Sequence, residues 1–313
     1  MDYSVKLNAI RDNVRQAIVG KDDVIDDLLV SLLCAGHVLI EDMPGLGKTT
    51  LVSALAASLG CSFRRIQFTP DVLPSDITGY TMYNMKTGEQ EVHMGSIMHQ
   101  IVLADEINRS SPKTQSALLE VMQEAQVTID GQTYPAPSPF MVLATQNPIE
   151  TAGTYPLPEA QLDRFLMRLS LGYPTREEEI QILATHRSRS RTKDLQAVVT
   201  AEDVIEMQRV LDTVTISPEI AEYIVAIAEA TRNQPNVRLG VSPRGTIALM
   251  QASRGRAMLA GRSFVMPDDV QACARQVLCH RMVMKVQGGA DRQTSAAVVE
   301  SILQSLPVPG VGA

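Results

Sequence analysis

The spacing of hydrophobic residues along this chain changes at Pro174. Before that residue, short runs of consecutive apolar residues alternate with amphipathic segments, a pattern that predicts buried strands separated by helices. After it, apolar residues recur at helical spacing and no strand-like run is seen. The pattern therefore predicts an α/β domain over 1–174, with a parallel sheet covered on both faces, followed by an all-helical domain over 175–313.

Five strands are predicted in the first domain, four from nearly continuous apolar runs and the one over 63–68 from a run rich in residues that favour strands. Asp130-Gly131, between two alternating segments, predicts a hairpin with a two-residue type I′ turn. The segment 78–99, interrupted by three glycines, is less regular and is interpreted as an excursion from the sheet. The predicted strands start at His37 and cover 63–68, 100–106, 140–145 and 165–171, and the predicted helices cover 4–18, 24–35, 49–59 and 159–163, with another starting at Ser111.

Capping residues mark the helices of the second domain. Serine and threonine side chains accept hydrogen bonds from the free N–H groups of a first helical turn, and proline suits the first helical position. These positions predict helix starts throughout the second domain. They are Thr175 with Glu178, Thr200, Ser217-Pro218, Ser242-Pro243 and Pro267.

The first predicted strand leads into a glycine-rich loop and then a helix. Gly45 and Gly47 let the backbone approach a phosphate closely, and the start of the helix adds its positive dipole end. Lys48 would reach the β- and γ-phosphates of ATP, and Thr49 would place its hydroxyl on Mg²⁺. The predicted nucleotide-binding residues of this loop are Pro44, Gly45, Leu46, Gly47, Lys48, Thr49 and Thr50.

One position of this loop departs from the GxxxxGK[ST] pattern, because Asp42 occupies the place of its first glycine. Aspartate tolerates unusual turn dihedrals, so we expect the loop to close around a phosphate all the same. For this segment alone, a chance glycine-rich turn between a strand and a helix is the alternative interpretation.

Polar side chains follow two further buried strands. Asp105 and Glu106 end the segment 100–106, and Asn147 follows the strand over 140–145. The carboxyl ends of parallel strands meet at one edge of a sheet, so these side chains should lie beside the glycine loop. Asp105 is suited to holding Mg²⁺ through its water shell, and Glu106 to activating a water against the γ-phosphate. Asn147 could fix that water, although an Asn-Pro pair is also an ordinary turn.

Two arginines complete the set of candidate residues. Arg244 occupies the first turn of a predicted helix, where a cation is unfavourable to the helix dipole unless an anion lies nearby. A nucleotide phosphate would be that anion. Arg164 lies between an acidic helix and a strand, where it could serve the site or form a surface salt bridge.

The composition narrows the class of protein. A formal net charge of −7 argues against a dedicated nucleic-acid binder, and the basic but Ser/Thr-rich segment 186–193 is predicted to be a solvated loop. Apolar runs are too short to span a bilayer and the N-terminus lacks signal-peptide features, so a cytoplasmic protein without membrane insertion is expected. The four cysteines lack metal-ligand spacing and are expected to be reduced, buried hydrophobes.

Several longer motifs carry more information than nucleotide binding alone. They are EDMPGLGKT at 41–49, RIQFTPDVLPSDITG at 65–79, LADEINR at 103–109, ATQNPIE at 144–150, GTYPLPEAQLDRF at 153–165 and VSPR at 241–244. Together these motifs resemble those of MoxR-type AAA+ ATPases, and the resemblance covers nearly the whole chain. The missing first glycine of the loop is itself usual in that family.

The resemblance implies a P-loop core with a five-stranded parallel sheet of order 5-1-4-3-2, followed by an all-α lid, with nucleotide bound between them. It makes the 78–99 excursion the helix-2 insert and the Asp130-Gly131 hairpin the pre-sensor-1 hairpin, which face the central pore in related rings. Ordinary surface loops are the alternative for both. By position, Lys48 and Thr49 correspond to Walker A, Asp105 and Glu106 to Walker B, Asn147 to sensor 1, Arg164 to the arginine finger at the subunit edge, Arg244 to sensor 2, and Val19 and Gly20 to the turn that flanks the adenine.

In function, the resemblance implies a Mg²⁺-dependent ATPase that assembles into a ring, as a homohexamer, and remodels or matures a client protein. Metal insertion or complex assembly would be the task, with a von Willebrand factor A domain protein as a frequent partner. A nucleic-acid motor and a nucleotide-gated scaffold with little turnover are the alternatives. The negative charge disfavours the motor, and the intact Glu106 disfavours the scaffold.

Overall fold

The computed structural model describes residues 3–150, 153–185, 194–285 and 294–310, so the basic segment at 186–193 lies outside the described residues. The helices are α1 (Tyr3–Arg15), α2 (Asp22–Leu33), α3 (Lys48–Ser58), α4 (Pro74–Thr78), α5 (Pro112–Glu124), α6 (Glu159–Leu162), α7 (Arg176–Thr185), α8 (Ala201–Leu211), α9 (Pro218–Arg232), α10 (Pro243–Leu259), α11 (Pro267–Leu278) and α12 (Ser295–Ser305). The strands are β1 (Val38–Glu41), β2 (Phe63–Gln67), β3 (Gly79–Asn84), β4 (Glu89–Met94), β5 (Ile101–Asp105), β6 (Gln126–Ile129), β7 (Gln132–Pro135), β8 (Met141–Gln146), β9 (Met167–Leu169), β10 (Val237–Leu239) and β11 (Val283–Met284).

Five parallel strands form the central sheet, in the order β2-β5-β8-β1-β9. Counted along the chain, this is the order 5-1-4-3-2, which confirms the prediction. All five residues of β5 are buried, as expected for a strand covered on both faces. The register pairs Glu41 with Gln146 and Ala104 with Ala144, so the carboxyl ends of β1, β8 and β5 lie side by side.

The two faces of the sheet pack against different helices, because successive side chains of a strand point to opposite faces. Val38 and Ile40 belong to the same apolar cluster as residues of α1, α2 and α3. Leu39, between them, packs into a second cluster with residues of α5 and the β6 strand. The core is therefore an α/β/α sandwich whose ligand-binding edge is the carboxyl edge of the sheet.

Two hairpins stand outside the central sheet. The predicted type I′ turn is confirmed, because Asp130 (φ 48°) and Gly131 (φ 83°) both have positive φ between β6 and β7. The irregular segment 78–99 contains a second antiparallel hairpin, β3 and β4. Large apolar side chains are exposed on this second hairpin: Met85 is 91% exposed and Tyr83 is 62% exposed.

Most of the described region after Pro174 is helical, and its predicted caps are present. Thr175 Oγ1 accepts from the backbone N–H of Glu178, and the Glu178 carboxylate accepts from the Thr175 N–H. The lid is not helical throughout, because it contains the short antiparallel pair β10 and β11, which the sequence pattern did not predict. These strands have three and two residues, too few to produce a recognisable alternation of apolar positions.

The helical region packs on the first two helices of the chain and on the edge of the sheet. Gln208 Nε2 of α8 donates to the Leu32 carbonyl of α2 at 2.7 Å, and Lys6 of α1 pairs with Asp203 at 2.6 Å. Residues of α11 and β9 share one apolar cluster. The lid is thus held beside β9 and against the α1–α2 side of the core.

All four cysteines are free thiols. Burial raises the pKa of Cys34 to about 12 and that of Cys61 to about 11, so both are protonated at neutral pH. This agrees with the interpretation of the cysteines as small hydrophobes. Across the described segments, no helix combines the length and the apolar character that crossing a membrane would need.

Candidate active site

The glycine loop joins the carboxyl end of β1 to the first turn of α3. Gly45 and Gly47 have φ values of 87° and 85°, a left-handed conformation that glycine adopts without strain. A Cβ added at Gly45 would meet nothing within 4 Å, so this part of the backbone is open to a ligand. Lys48 Nζ donates to the carbonyls of Asp42 at 2.8 Å and Met43 at 3.2 Å, which holds the lysine over the loop.

Asp42 has a structural task that the sequence did not indicate. It does not have a positive φ, so tolerance of unusual dihedrals is not why aspartate is present. Its buried carboxylate accepts hydrogen bonds from Ser170 Oγ at 2.8 Å and from the backbone N–H groups of Leu171 and Gly172. The aspartate therefore ties the glycine loop to the segment that follows β9.

Replacing Asp42 with asparagine or glycine should loosen this connection. Asn would replace one acceptor oxygen with an NH₂ group that faces a donor, and Gly would restore the usual loop pattern but remove both acceptor oxygens. We expect the free energy of unfolding to fall by about 1–3 kcal/mol in either variant, with weaker ATP binding, because buried N–H groups lose their partner. Urea unfolding and ATP titration measure the two effects. Ser170→Ala, which removes one donor only, is the milder control, and wild-type stability in Asp42→Gly would contradict the assignment.

The two acids at the end of β5 have different surroundings. Asp105 is 9% exposed, and its carboxylate accepts from Thr145 Oγ1 at 2.5 Å and from Arg65 Nη2 at 2.7 Å. Glu106 lies just after the strand with φ 58°, and its carboxylate accepts from Gln67 Nε2 at 2.8 Å. The two carboxylates therefore have different hydrogen-bond partners.

Asn147 follows β8, which lies between β1 and β5 in the sheet. This order puts the asparagine between the glycine loop and the two acids. Its Oδ1 accepts from the Ile149 N–H at 3.2 Å, so it also shapes the local turn. Lys48, Thr49, Asp105, Glu106 and Asn147 are thus brought together at one edge of the sheet.

An arginine that was not among the candidate residues connects two of these elements. Arg109 pairs with Glu106 at 3.2 Å and also with Glu150 in the loop after Asn147. Its hydrogen bond lowers the pKa of the Glu150 carboxyl. Arg109 and Glu150 both stand in the sequence motifs quoted above, but a motif alone does not say which side chains meet. Gln67 and Thr145 were missed for the same reason.

The turn at Val19 and Gly20 lies against the glycine loop from the other side. Helix α1 ends at Arg15, earlier than predicted, and a turn continues to Gly20, whose φ is 69°. Ile18 packs close to Gly47, since a Cβ added at Gly47 would lie 3.3 Å from Ile18 Cδ1. Gly20 also lines a cavity of about 740 Å³ between β9, α2, α7, α11 and α12.

The structure places Arg164 and Arg244 elsewhere. Both line a cavity of about 280 Å³ together with His37, which precedes β1 at the amino end of the strand. Arg164 Nη1 donates to the Leu119 carbonyl at 2.8 Å. The glycine loop follows the opposite end of β1, and the four residues of that strand span roughly 13 Å. Helix α7, at the start of the lid, contacts the Gly20 turn through Glu178. Arg244 does not line the cavity beside Gly20.

Comparisons with known proteins identify the family of this chain. The family model described as "ATPase family associated with various cellular activities (AAA)" matches residues 37–167, and the AAA lid domain model matches 229–302. The uncharacterized protein YeaC of Bacillus subtilis is 51% identical, with 95% of this chain and 93% of that protein covered. The chaperone MoxR1 of Mycobacterium tuberculosis is 40% identical, with 96% and 81% covered.

A crystal structure of a candidate ATPase from Cytophaga hutchinsonii has a TM-score of 0.91 and 38% identity, covering 98% of this chain and 96% of that one. Fold, glycine loop and lid define an AAA+ ATPase, which binds nucleotide and hydrolyses ATP. More narrowly, the chain belongs to the MoxR family of AAA+ ATPases.

Proposed function

We propose that this ATPase works as a ring, a homohexamer, in which each nucleotide is bound by one subunit and its hydrolysis is completed by the next. One observation supports the proposal. The glycine loop follows the carboxyl end of β1, whereas Arg164 and Arg244 line a cavity beside His37 at the amino end of that strand. Of the cations that the described residues place beside the two acids, Arg65 and Arg109 are paired with Asp105 and Glu106, which leaves Lys48 for the γ-phosphate. A neighbour that presents its Arg164 and Arg244 to this loop would supply two.

Within a subunit, the proposed roles follow from position. Lys48 binds the β- and γ-phosphates, Glu106 activates the attacking water, and Asn147 orients that water. Phosphoryl transfer needs mainly positioning and neutralisation of charge, and this set of side chains offers both. The hydrogen bond from Gln67 and the ion pair with Arg109 support a fixed orientation of the Glu106 carboxylate.

Thr49 and Asp105 are the proposed residues for Mg²⁺. Both offer oxygen, the donor that this hard cation prefers, and Thr49 is exposed in the first turn of α3. In the described part of the chain, no group of three or more His, Cys, Asp or Glu side chains could hold a metal. This fits Mg²⁺, which usually keeps several waters and comes with phosphate ligands. When bound, the ion would neutralise charge on the β- and γ-phosphates.

The cavity of about 740 Å³ beside Gly20 is the proposed place of the nucleotide base. Its volume lies within the usual range of about 300–1,000 Å³ for small-molecule sites. Glu178, at the start of the helical region, lines it together with Gly20. We propose that 1–174 and 175–313 act as core and lid, with Val19 and Gly20 flanking the adenine at their junction.

The proposed task is remodelling or maturation of a client protein, by metal insertion or complex assembly. The relative named as a chaperone supports this, as does the β3–β4 hairpin with its exposed Met85 and Tyr83. We propose that this hairpin and the β6–β7 hairpin face the pore of the ring and contact the client. A von Willebrand factor A domain protein would be the partner that delivers it.

The nature of the stimulating ligand tests this proposal. We expect protein captured by the Glu106→Gln variant, held in its ATP state, to stimulate wild-type turnover, and DNA to leave turnover unchanged. The net charge of −7 offers little attraction for phosphates, so any DNA affinity should be weak and lost at moderate salt. Tight DNA binding with a steep salt dependence, together with stimulation by DNA, would favour a nucleic-acid motor. Capture is compared with Lys48→Ala, which should retain nothing.

A further inference from the structure

A buried arginine of the lid, Arg281, forms hydrogen bonds to the segment that carries Arg164. The Arg281 side chain is 3% exposed. A guanidinium has five N–H donors, and here each has an acceptor. Four of the five hydrogen bonds end on residues 163–166. These four run from Nε to Asp163 Oδ1 (2.7 Å), from Nη1 to the Leu166 carbonyl (3.0 Å), and from Nη2 to the carbonyls of Phe165 (2.6 Å) and Asp163 (3.3 Å). The fifth runs from Nη1 to the Val277 carbonyl.

The same arginine touches the first turn of α10, where Arg244 lies. Ser242, the N-cap of α10, has its Oγ 3.4 Å from Asp163 Oδ2. A Cβ added at Gly245 would lie 2.9 Å from Arg281 Cδ, so this helix start rests on the arginine stem. Arg281 and the carboxylate of Asp163 therefore join the two chain segments that carry Arg164 and Arg244.

A neighbouring histidine strengthens the connection. His280 Nε2 lies 3.0 Å from the Phe165 carbonyl. Burial lowers the pKa of His280 well below its usual value, so the ring is neutral at pH 7 and this nitrogen donates. Burial also lowers the pKa of Arg281, to about 10, which leaves the guanidinium charged.

Packing alone does not explain a charged group at this place. Burying a guanidinium is costly, and an apolar side chain of similar volume often stabilises a fold as well or better. Unlike an apolar side chain, a planar guanidinium with five donors can hold several acceptors at fixed positions at the same time. The acceptors held here are those on either side of Arg164.

We propose that Arg281 is a positioning residue, through which the lid fixes Arg164 and Arg244 in the geometry that serves the neighbouring subunit. The inference rests on the proposed action of these arginines across the subunit boundary. The lid also contributes Glu178 to the cavity beside Gly20. A shift of the lid at one nucleotide site would therefore move the arginines offered to the next site.

Arg281→Lys tests the inference, because it keeps the charge and the pairing with Asp163 but cannot reach four backbone carbonyls. Displacement of reacting groups by about 1 Å can cost a factor of about 100, so we expect kcat to fall about 10- to 100-fold. The KM for ATP should change less than about twofold, because the glycine loop is untouched. If the lysine variant does not fold, Asp163→Asn replaces it: this change weakens the bonds of the carboxylate to Arg281 Nε and Ser242 Oγ, which join the two segments, and should give the same split with a smaller fall in kcat.

Arg262→Lys is the matched control. Within the described part of the chain, Arg262 pairs with Asp269 at 2.6 Å in the lid and makes no hydrogen bond to 163–166, so its replacement should lower stability without lowering kcat of the folded protein. An equal loss of kcat in both variants, or an unchanged kcat in Arg281→Lys, would overturn the positioning role.

Mixed assemblies show on which side of the boundary the defect acts. Arg164→Ala subunits provide intact loops and Lys48→Ala subunits provide intact arginines, so their mixture should recover activity. Adding Arg281→Lys to the Lys48→Ala subunit should abolish most of this recovery, whereas adding it to the Arg164→Ala subunit should not. Equal effects on both sides would overturn the positioning role alone. No recovery in the parent mixture would overturn the proposed action across the boundary, and the inference with it.

Discussion

We expect Lys48→Ala to abolish ATP binding, and Glu106→Gln to keep ATP binding but lose hydrolysis. The lysine contacts phosphates that are present in the ground state, so its loss removes affinity. The glutamate acts on the water only as the reaction proceeds. Loss of such a general base costs a factor of about 10² to 10⁴ in kcat.

The geometry around Glu106 makes glutamine a clean replacement. Its carboxylate accepts from Gln67 Nε2 and forms an ion pair with Arg109, and the isosteric amide keeps one acceptor oxygen toward these two side chains. Nucleotide affinity by titration calorimetry and phosphate release under excess ATP separate the two variants. Glu219→Gln, an exposed acid in the first turn of α9, is the control and should behave as wild type. Equal ATP affinity in wild type and Lys48→Ala would contradict the assignment of the loop.

Arg164→Ala is expected to reduce turnover by about 10³- to 10⁵-fold, the range found for arginine fingers. Such an arginine stabilises charge that develops on the γ-phosphoryl group. ATP affinity of the variant should stay near the wild-type value, because Arg164 lies at the opposite edge of the sheet from Lys48. Arg209→Ala, which removes an exposed arginine at the end of α8, should change neither quantity. A parallel loss of ATP affinity in Arg164→Ala would place this arginine at its own subunit's nucleotide.

The sequence predicted the carboxyl edge of the sheet well, because each of its parts is local. A glycine loop, two acids at a strand end and an asparagine at the next strand end are short patterns with their own physical meaning. Parallel pairing then brings them together without further information. The sheet order came from the family resemblance and is confirmed by the pairing of the strands.

Contacts between distant segments could not be predicted in this way. Asp42 meets the end of β9 across 128 to 130 positions, and Arg281 meets Asp163 across 118. Both separations are far longer than the periods of a helix or a strand, from which sequence patterns are interpreted. The sequence could identify Arg244 as an unfavourable cation in a first helical turn, but its position depends on how α8 and α10 pack against α1 and α2.

Joint activity of two inactive variants tests the central claim most directly. Arg164→Ala and Lys48→Ala subunits are mixed in equal amounts, co-assembly is verified by light scattering, and phosphate release is compared with that of each variant alone. A site shared between neighbours predicts that activity returns, because some loops of Arg164→Ala subunits meet intact arginines of Lys48→Ala subunits. Co-assembled mixtures that stay as inactive as the separate variants would show that each subunit depends on its own arginine.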